Sequence, residues 1–214
     1  IAVTDLIVEK MPVSISLGIW ILIISYGISI PLGIRKAVQD GSAFDIWTSG
    51  VIIVAYAIPG FLIAVLLLVV FAGGSYLDWF PLRGLLSEGL DSNACLPWGG
   101  DFRPGYCLSV VAPDYFWHLT LPLISLVLAA FATTTLLTKN SFLDAIRKQY
   151  VMTARAKGLT ERRIVFVHIL RNALLPVVTM AGVQVGALIG GSVIVESVFA
   201  WPGLGMLAFE ALFS

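Results

Sequence analysis

Charged side chains are scarce in this chain of 214 residues. Asp, Glu, Lys and Arg together make up 12% of it, whereas 58% of the residues are hydrophobic. A soluble domain usually carries about 25% charged residues, and the mean hydropathy here is +0.95. The shortage of charge therefore excludes an ordinary soluble domain and indicates a membrane protein.

Several catalytic motifs are also missing. The chain has no GxxxxGK[ST] loop, so it cannot cradle nucleotide phosphates in the P-loop manner by itself. It has no HExxH or GxSxG motif and no pair of carboxylates within an apolar segment, which leaves metalloprotease, hydrolase and carboxylate-based proton-pump functions without their residues. We expect a non-catalytic protein without a cofactor. If ATP drives it, hydrolysis occurs on another polypeptide.

Cysteine is nearly absent, and the two that occur, Cys95 and Cys107, lie in one connection. Two cysteines without nearby histidines do not fill a zinc site, so we expect no bound metal. In an oxidising exterior the pair can close a small disulfide loop. The alternative is two free thiols, and migration on non-reducing gels separates these possibilities.

Long uncharged runs dominate the rest of the chain. Four segments without Asp, Glu, Lys or Arg are long enough to cross about 30 Å of hydrocarbon as helices. They indicate an all-α, polytopic transmembrane helix bundle that forms a single domain. We predict spans at about 13–34, 46–72, 116–138 and 173–196, a periplasmic loop over 73–115 and a cytoplasmic loop over 139–172.

The charges that remain are distributed unequally. Eight of the thirteen Lys and Arg lie in the loop 139–172, and two more, Arg35 and Lys36, lie in the connection on the same side of the membrane. The opposite side holds three. Because Lys and Arg near helix ends resist translocation, the ten residues (eight plus two) should be cytoplasmic. The basic loop can present short helices to a soluble partner, or it can anchor to anionic lipid headgroups.

Small residues form two stripes within the predicted spans. Gly182, Gly186 and Gly190 recur every fourth residue, a pattern that favours close helix packing, with a substrate-lining role as the alternative. A weaker stripe of the same kind contains Ser25, Ser29 and Gly33.

Other residues in and beside the spans have both structural and functional interpretations. Pro59 should kink the second span, as a hinge or merely as a structural feature. Gln184 is the only amide in the spans, and it faces either a helix partner or a translocation path. We expect His118 to lie at the membrane interface and Glu196 to be a solvated carboxylate at the outer surface.

Two motifs carry a family resemblance. The run YVMTARAKGLTERRIVFVHILRNALLP, residues 150–176, resembles the cytoplasmic EAA loop of binding-protein-dependent ABC importer permeases of the dipeptide, oligopeptide and nickel branch. A second signature of that family, E-x-V-F-x-W-P-G-L-G, matches residues 196–205. Further stretches, including SIPLGIRKAV at 29–38 and LTKNSFLDAIRKQYV at 137–151, resemble the permeases linked with oligopeptide and microcin C uptake.

The resemblance implies an importer subunit in the inner membrane. Such permeases have six spans, so we expect this chain to hold the second to the fifth, with sequence missing at both ends. The implied partners are a homologous second permease subunit, two cytoplasmic ATPase subunits, an external substrate-binding protein and membrane lipid, with no nucleic acid. The pair Cys95 and Cys107 lies in an insertion that departs from the subfamily's pattern. The resemblance therefore does not identify the substrate.

The resemblance also assigns roles to residues. Good helix formers precede Gly158, which stands where a helix would end in a left-handed residue, and Thr160 can cap the next helix. The expected contact with the ATPase comprises Ala154, Arg155, Ala156, Lys157, Gly158 and Leu159. His168, Arg171 and Asn172 would support the loop. Glu196, Pro202, Gly203 and Gly205 would form a tight turn at the outer gate.

Two other functions stay open on the residues alone. One is a membrane scaffold or assembly factor that binds a cytoplasmic partner without moving solute. The other is a secondary transporter, for which the spans offer only Gln184 and scattered hydroxyl groups.

Overall fold

Every regular element in the computed structural model is a helix. The structure describes residues 3–74, 76–90, 95, 103–190 and 192–213. Two of the helices are long and apolar enough to cross a membrane, and the number rises to four if each of two bent helix pairs counts as one span. The all-α polytopic bundle expected from the sequence is therefore confirmed.

The helices follow one another with short connections over most of the chain. We number them α1 to α9 in chain order, and α4 and α6 each contain one π-helical turn, at Cys107–Val111 and Ile164–Ile169 respectively. Their bounds are Val3–Val38 (α1), Ala43–Ala57 (α2), Gly60–Phe71 (α3), Pro104–Ile146 (α4), Gln149–Ala156 (α5), Glu161–Ala173 (α6), Leu175–Gly190 (α7), Val193–Val198 (α8) and Leu204–Phe213 (α9).

The chain divides into two compact units. The first unit comprises residues up to 18, residues 60–126 and residues from 188 onward. Its buried side chains include Leu17, Leu119, Phe199 and Trp201, and the ring of Tyr115 packs on that of Trp201 at a centroid distance of 6.2 Å. A disulfide joins Cys95 to Cys107, so the oxidised alternative for this pair is confirmed.

The second unit comprises residues 19–59 and 127–187. One apolar core joins the end of α1, the end of α4, all of α5 and both ends of α6. Its buried members are Ala37, Phe142, Ala145, Val151, Ala154, Ile164, Ile169 and Ala173. Because the loop 139–172 contributes six of these eight residues, it is packed into the body of the unit.

The weaker of the two small-residue stripes is the one that packs helices together. In the second unit, Ser29 Oγ donates a hydrogen bond of 3.2 Å to the carbonyl of Phe131 in α4. A Cβ atom built on Gly33 would lie 2.6 Å from Cβ of Thr138. Only glycine allows α1 and α4 to approach this closely, so Ser29 and Gly33 of this stripe form a helix contact.

In the glycine stripe of α7, Gly182 and Gly186 make no such contact with the described residues. A Cβ atom on Gly182 or Gly186 would meet nothing within 4 Å among the described residues, and Gly190 lies where the surroundings are not described. Val178 and Val183 beside the stripe are about two-thirds exposed. The packing role expected for this stripe therefore stays a prediction.

Helix boundaries differ from the predicted spans at three places. At Pro59 the helix stops completely, because α2 ends at Ala57 and Ile58 adopts an extended conformation before α3 begins. Proline restricts the residue before it to the extended region and lacks an amide hydrogen, which explains the interruption. The first helix starts at Val3, about ten residues before the predicted span, and α4 starts at Pro104 rather than near residue 116.

Candidate functional site

The short helix α5 has one buried and one exposed face. Val151 and Ala154 point into the core of the second unit with 0% and 6% exposure, respectively. At 100° per residue the opposite face carries Gln149, Met152, Thr153 and Ala156, all of which are exposed. The core fixes the position of α5 and leaves this second face available to a partner.

A left-handed residue ends α5 as the sequence predicts. Gly158 has φ +75°, and its amide donates a hydrogen bond of 2.9 Å to the carbonyl of Arg155. The amide of Leu159 donates to the carbonyl of Ala154 at 3.3 Å, and the Leu159 side chain packs against the core cluster. These two bonds and the apolar contact form a Schellman motif, which turns the chain sharply and closes the end of the helix.

The charged residues of this turn lie on its surface. Arg155 Nε donates to Glu161 Oε1 at 2.7 Å, and its Nη2 donates to Oε2 at 3.1 Å. These hydrogen bonds raise the pKa of the Arg155 guanidinium and lower that of the Glu161 carboxyl from their ordinary values. Lys157 forms no ion pair with any described residue, so its positive charge is available to a partner.

The predicted support residues take different positions. Thr160 occupies the N-cap position of α6 with an extended backbone, but its side chain makes no capping hydrogen bond. His168 is half-buried in the π-helical turn, and Asn172 Nδ2 donates to the His168 carbonyl at 3.2 Å. Arg171 is exposed. The π-helical turn places Phe166 and Val167 on the surface, at 58% and 55% exposure, a feature that the sequence analysis did not anticipate.

The coupling residues predicted from the sequence therefore divide into two groups. Ala154 is buried, and Leu159 is partly buried where it packs against the core. Arg155, Ala156, Lys157 and Gly158 are exposed and stay candidates for the contact.

Glu196 lies in a second polar site, within the first unit, and its side chain is buried rather than solvated. Its exposure is only 1%. Oε1 accepts hydrogen bonds from Ser14 Oγ at 2.8 Å and from the Ser192 amide at 3.0 Å. Oε2 accepts from the amides of Gly205 at 2.7 Å and Met206 at 3.3 Å. The predicted solvated carboxylate is wrong, because four donors replace water around it.

The same carboxylate completes the start of α9. The first amides of a helix lack partners within the helix, and a negative charge there is favourable. Glu196 accepts hydrogen bonds from two of these amides, and Ser14 Oγ accepts one from a third, that of Leu204, at 2.8 Å. Ser14 therefore links α1, α8 and α9 by both donating and accepting. Sequence reasoning missed this serine because its partners are 182 and 190 positions away.

Two positions near this carboxylate, Gly203 and Gly205, have no room for a side chain. A Cβ on Gly203 would collide with the Glu196 carboxylate and the Ser14 hydroxyl, and one on Gly205 would lie 2.6 Å from the amide nitrogen of Val193. Pro202 follows the fully buried Trp201, whose amide donates to the Glu196 carbonyl at 2.8 Å. The four residues predicted at the outer gate thus lie close together in the sequence, with Glu196 in α8, Pro202 and Gly203 in the connection and Gly205 in α9.

His118 is a second titratable residue that is buried in the protein, and its expected position at the membrane interface stays a prediction. It is buried within the first unit, and its Nδ1 lies 2.9 Å from the carbonyl of Asp114 and 3.4 Å from the Asp114 carboxylate. Asp114 in turn accepts hydrogen bonds from the amide and the hydroxyl of Ser87. Among the described residues, no group of three or more His, Cys, Asp and Glu has the geometry to hold a metal ion.

Comparison with known proteins supports the resemblance seen in the motifs. Residues 29–214 match the family model described as "Binding-protein-dependent transport system inner membrane component". The chain is 58% identical to the peptidoglycan transport system permease protein YejB of Agrobacterium fabrum over 209 residues. This match covers 97% of the chain and 54% of that relative.

Two further relatives show the range of the family. The inner membrane ABC transporter permease protein YejB of Escherichia coli O157:H7 is 50% identical across 100% of the chain and 55% of its own length. The dipeptide transport system permease protein DppB of Escherichia coli K12 is 34% identical across 99% of the chain and 63% of its own length. The chain thus spans little more than half the length of the first two relatives.

The turn at Gly158 and the site around Glu196 both lie within residues 29–214, which the family model matches. Ser14, a member of the Glu196 site, precedes that region. The apolar helices and the family agree on a multi-pass protein of the inner membrane. The chain belongs to the family of binding-protein-dependent transport system inner membrane components.

Proposed function

We propose that this chain is part of a non-catalytic permease subunit of an ATP-driven importer that moves peptides or peptide-like solutes across the inner membrane. Family membership supports the permease role. The names of the relatives, a peptidoglycan transport permease and a dipeptide transport permease among them, support a solute with peptide character. ATP hydrolysis belongs to a partner chain, since this sequence has no nucleotide-binding loop.

The observation that carries the proposal is that α5 has one exposed face while its opposite face is packed in the core. Met152 is 65% exposed and Ala156 is exposed beside it, whereas the other side of the same helix is buried in the core. A small residue at the end of such a face, as Ala156 is here, allows close approach of a partner. The unpaired Lys157 next to it favours an acidic rim on that partner. A groove on a cytoplasmic ATPase subunit fits both features.

A push on α5 would reach the membrane helices through the shared core. Val151 and Ala154 of α5 pack with Ala37 of α1 and with Phe142 and Ala145 of α4. Closely packed cores transmit displacement because they have few voids to absorb it. The role of Ala154 in this scheme is to fix α5 to the core, while Ala156 and its neighbours touch the partner.

The test uses the complete protein together with its second permease subunit, ATPases and binding protein in proteoliposomes. We expect Ala156→Trp to lower solute uptake per ATP hydrolysed at least tenfold, because the indole obstructs the contact. Ala156→Ser is the matched control, since serine adds a single atom at the same exposed site, and its uptake should stay within twofold of the parent. Equal uptake in both variants contradicts the proposed contact.

Three measurements separate the alternative functions. Vanadate-sensitive uptake and co-purification of an ATPase support the importer. Uptake that collapses with the proton gradient and resists vanadate supports a secondary transporter. An unrelated partner with no uptake under any condition supports a scaffold.

A further inference from the structure

Asp45 lies between ammonium groups from two other helices. Its Oδ1 is 3.0 Å from Nζ of Lys36 in α1, and its Oδ2 is 2.7 Å from Nζ of Lys139 in α4. Lys139 also pairs with Asp40 at 2.9 Å. We call these four residues the Asp45 cluster. Two positive and two negative charges make it electrically balanced, and all four residues lie in the second unit.

Lys36 fixes the start of α2 more firmly than an ordinary ion pair would. Its side chain is 0% exposed. Besides the carboxylate, Nζ donates hydrogen bonds to the carbonyl of Asp45 at 2.9 Å, to Thr48 Oγ1 at 2.6 Å and to Ser49 Oγ at 2.8 Å. All of these acceptors belong to the first two turns of α2. A buried ammonium must be fully paired, so α2 cannot leave Lys36 without stranding a charge.

The cluster continues directly into the core that holds α5. Lys36 precedes the buried Ala37, and Lys139 lies one turn before the buried Phe142. Ala37 and Phe142 pack in the same cluster as Val151 and Ala154 of α5. The apolar core thus connects α5 to α1 and α4, and the charges connect those two helices to α2.

We propose that the Asp45 cluster joins the beginning of α2 to the body formed by α5 and the ends of α1 and α4, so that these parts move as one. Within the function proposed above, on which this extension rests, Lys36 and Asp45 are positioning residues. They carry α2 along when an ATPase subunit displaces α5. Neither residue touches solute or nucleotide.

The joined movement is tested first without transport. Spin labels on Trp47→Cys in α2 and Met152→Cys in α5 occupy positions that are 77% and 65% exposed. In the full-length protein in lipid bilayers we expect one narrow distance distribution. Lys36→Met/Asp45→Asn, which removes one charge of each sign and leaves Lys139 paired with Asp40, should widen the distribution at least twofold. Lys10→Met, at a partly exposed lysine paired with Glu9, is the control and should leave it narrow.

A second measurement links the cluster to coupling. In the reconstituted transporter, Lys36→Met/Asp45→Asn should move at least fivefold less solute per ATP, with assembly and ATPase activity within twofold of the parent. An unchanged distance distribution overturns the inference, as does a loss of transport only in proportion to assembly. If the distances respond as expected but even the parent moves no solute, the proposed function fails and the joined body stands.

Discussion

At the scale of single residues, burial decides what Glu196 does. A carboxylate removed from water needs donors for both oxygens, and Glu196 obtains them from three backbone amides and one hydroxyl. Both Gly203 and Gly205 provide space here, because a Cβ on Gly203 would collide with the carboxylate and the Ser14 hydroxyl and one on Gly205 with the backbone at Val193. The turn after α8 is therefore built around one negative charge.

We predict that Glu196→Gln destabilises the full-length protein by about 2 kcal/mol, since hydrogen bonds to a charged group contribute about 1.5–3 kcal/mol. The amide nitrogen of glutamine cannot accept from Gly205 or Met206, so at least one donor loses its partner. Thermal unfolding in lipid nanodiscs measures the change. Glu9→Gln is the control, because that carboxylate is exposed and pairs only with its neighbour Lys10 in the described chain. A smaller effect at Glu196 than at Glu9 contradicts this account.

At the scale of helices, the contact between α1 and α4 depends on the absence of a single side chain. Thr138 occupies the space that a Cβ on Gly33 would need. Six residues earlier on the same helix, Gly27 has no atom within 4 Å of its hypothetical Cβ among the described residues. The two positions therefore separate helix packing from helix propensity.

Gly33→Ala should destabilise the protein by about 1–3 kcal/mol, the usual effect of overpacking a core. Gly27→Ala should be neutral or slightly stabilising, because alanine favours helix by about 1 kcal/mol over glycine. Unfolding of both variants in the same nanodiscs tests the difference. Equal stability of the two would show that α1 and α4 do not approach as closely as described.

The end of α5 gives a second test at this scale. Proline cannot adopt the φ of +75° found at Gly158, and it removes the amide that donates to Arg155. We predict that Gly158→Pro abolishes most uptake per ATP hydrolysed while the protein still inserts and assembles. Fractionation with native gels checks assembly, and vesicle assays check uptake. Normal substrate-stimulated transport in this variant would contradict the role of the turn.

At the scale of the whole molecule, the distribution of charge predicts sidedness. The loop with eight Lys and Arg should face the cytoplasm, and the connection with the disulfide should face outward. Met152 and Tyr76 are well exposed and lie in these two regions.

A membrane-impermeant maleimide should label Met152→Cys only in inside-out vesicles and Tyr76→Cys only in right-side-out vesicles. The parent protein, whose two cysteines in this chain are disulfide-bonded, gives the background. Labelling of the two positions from the same side would overturn the predicted topology.

Local features of the fold could be predicted from the sequence. The left-handed end of α5 at Gly158 and a bend at Pro59 both follow from the backbone preferences of one or two residues, although the predicted kink proved to be a complete interruption of the helix. The disulfide was one of two stated alternatives. Such features need no knowledge of distant parts of the chain.

Features that depend on distant partners could not be predicted. Glu196 looked solvated because Ser14 is 182 positions away. The glycine stripe of α7 looked stronger than the serine-containing stripe of α1, yet only the structure shows that Thr138 faces Gly33. Ala154 resembled a contact residue by motif, and its burial follows from a core assembled from three separate segments. The role of Lys139 could not be predicted for the same reason, because its partner Asp45 lies 94 positions away.

The bonds of Asp45 also set an order of events during synthesis. Lys36 precedes Asp45 by nine positions, whereas Lys139 follows it by 94, a delay of about 5–20 s at ribosomal rates of about 5–20 residues per second. The hairpin of α1 and α2 can thus enter the bilayer with Asp45 already paired with Lys36. Asp40 can form its ion pair only after Lys139 has been synthesised, so this pair forms when α4 packs beside the hairpin.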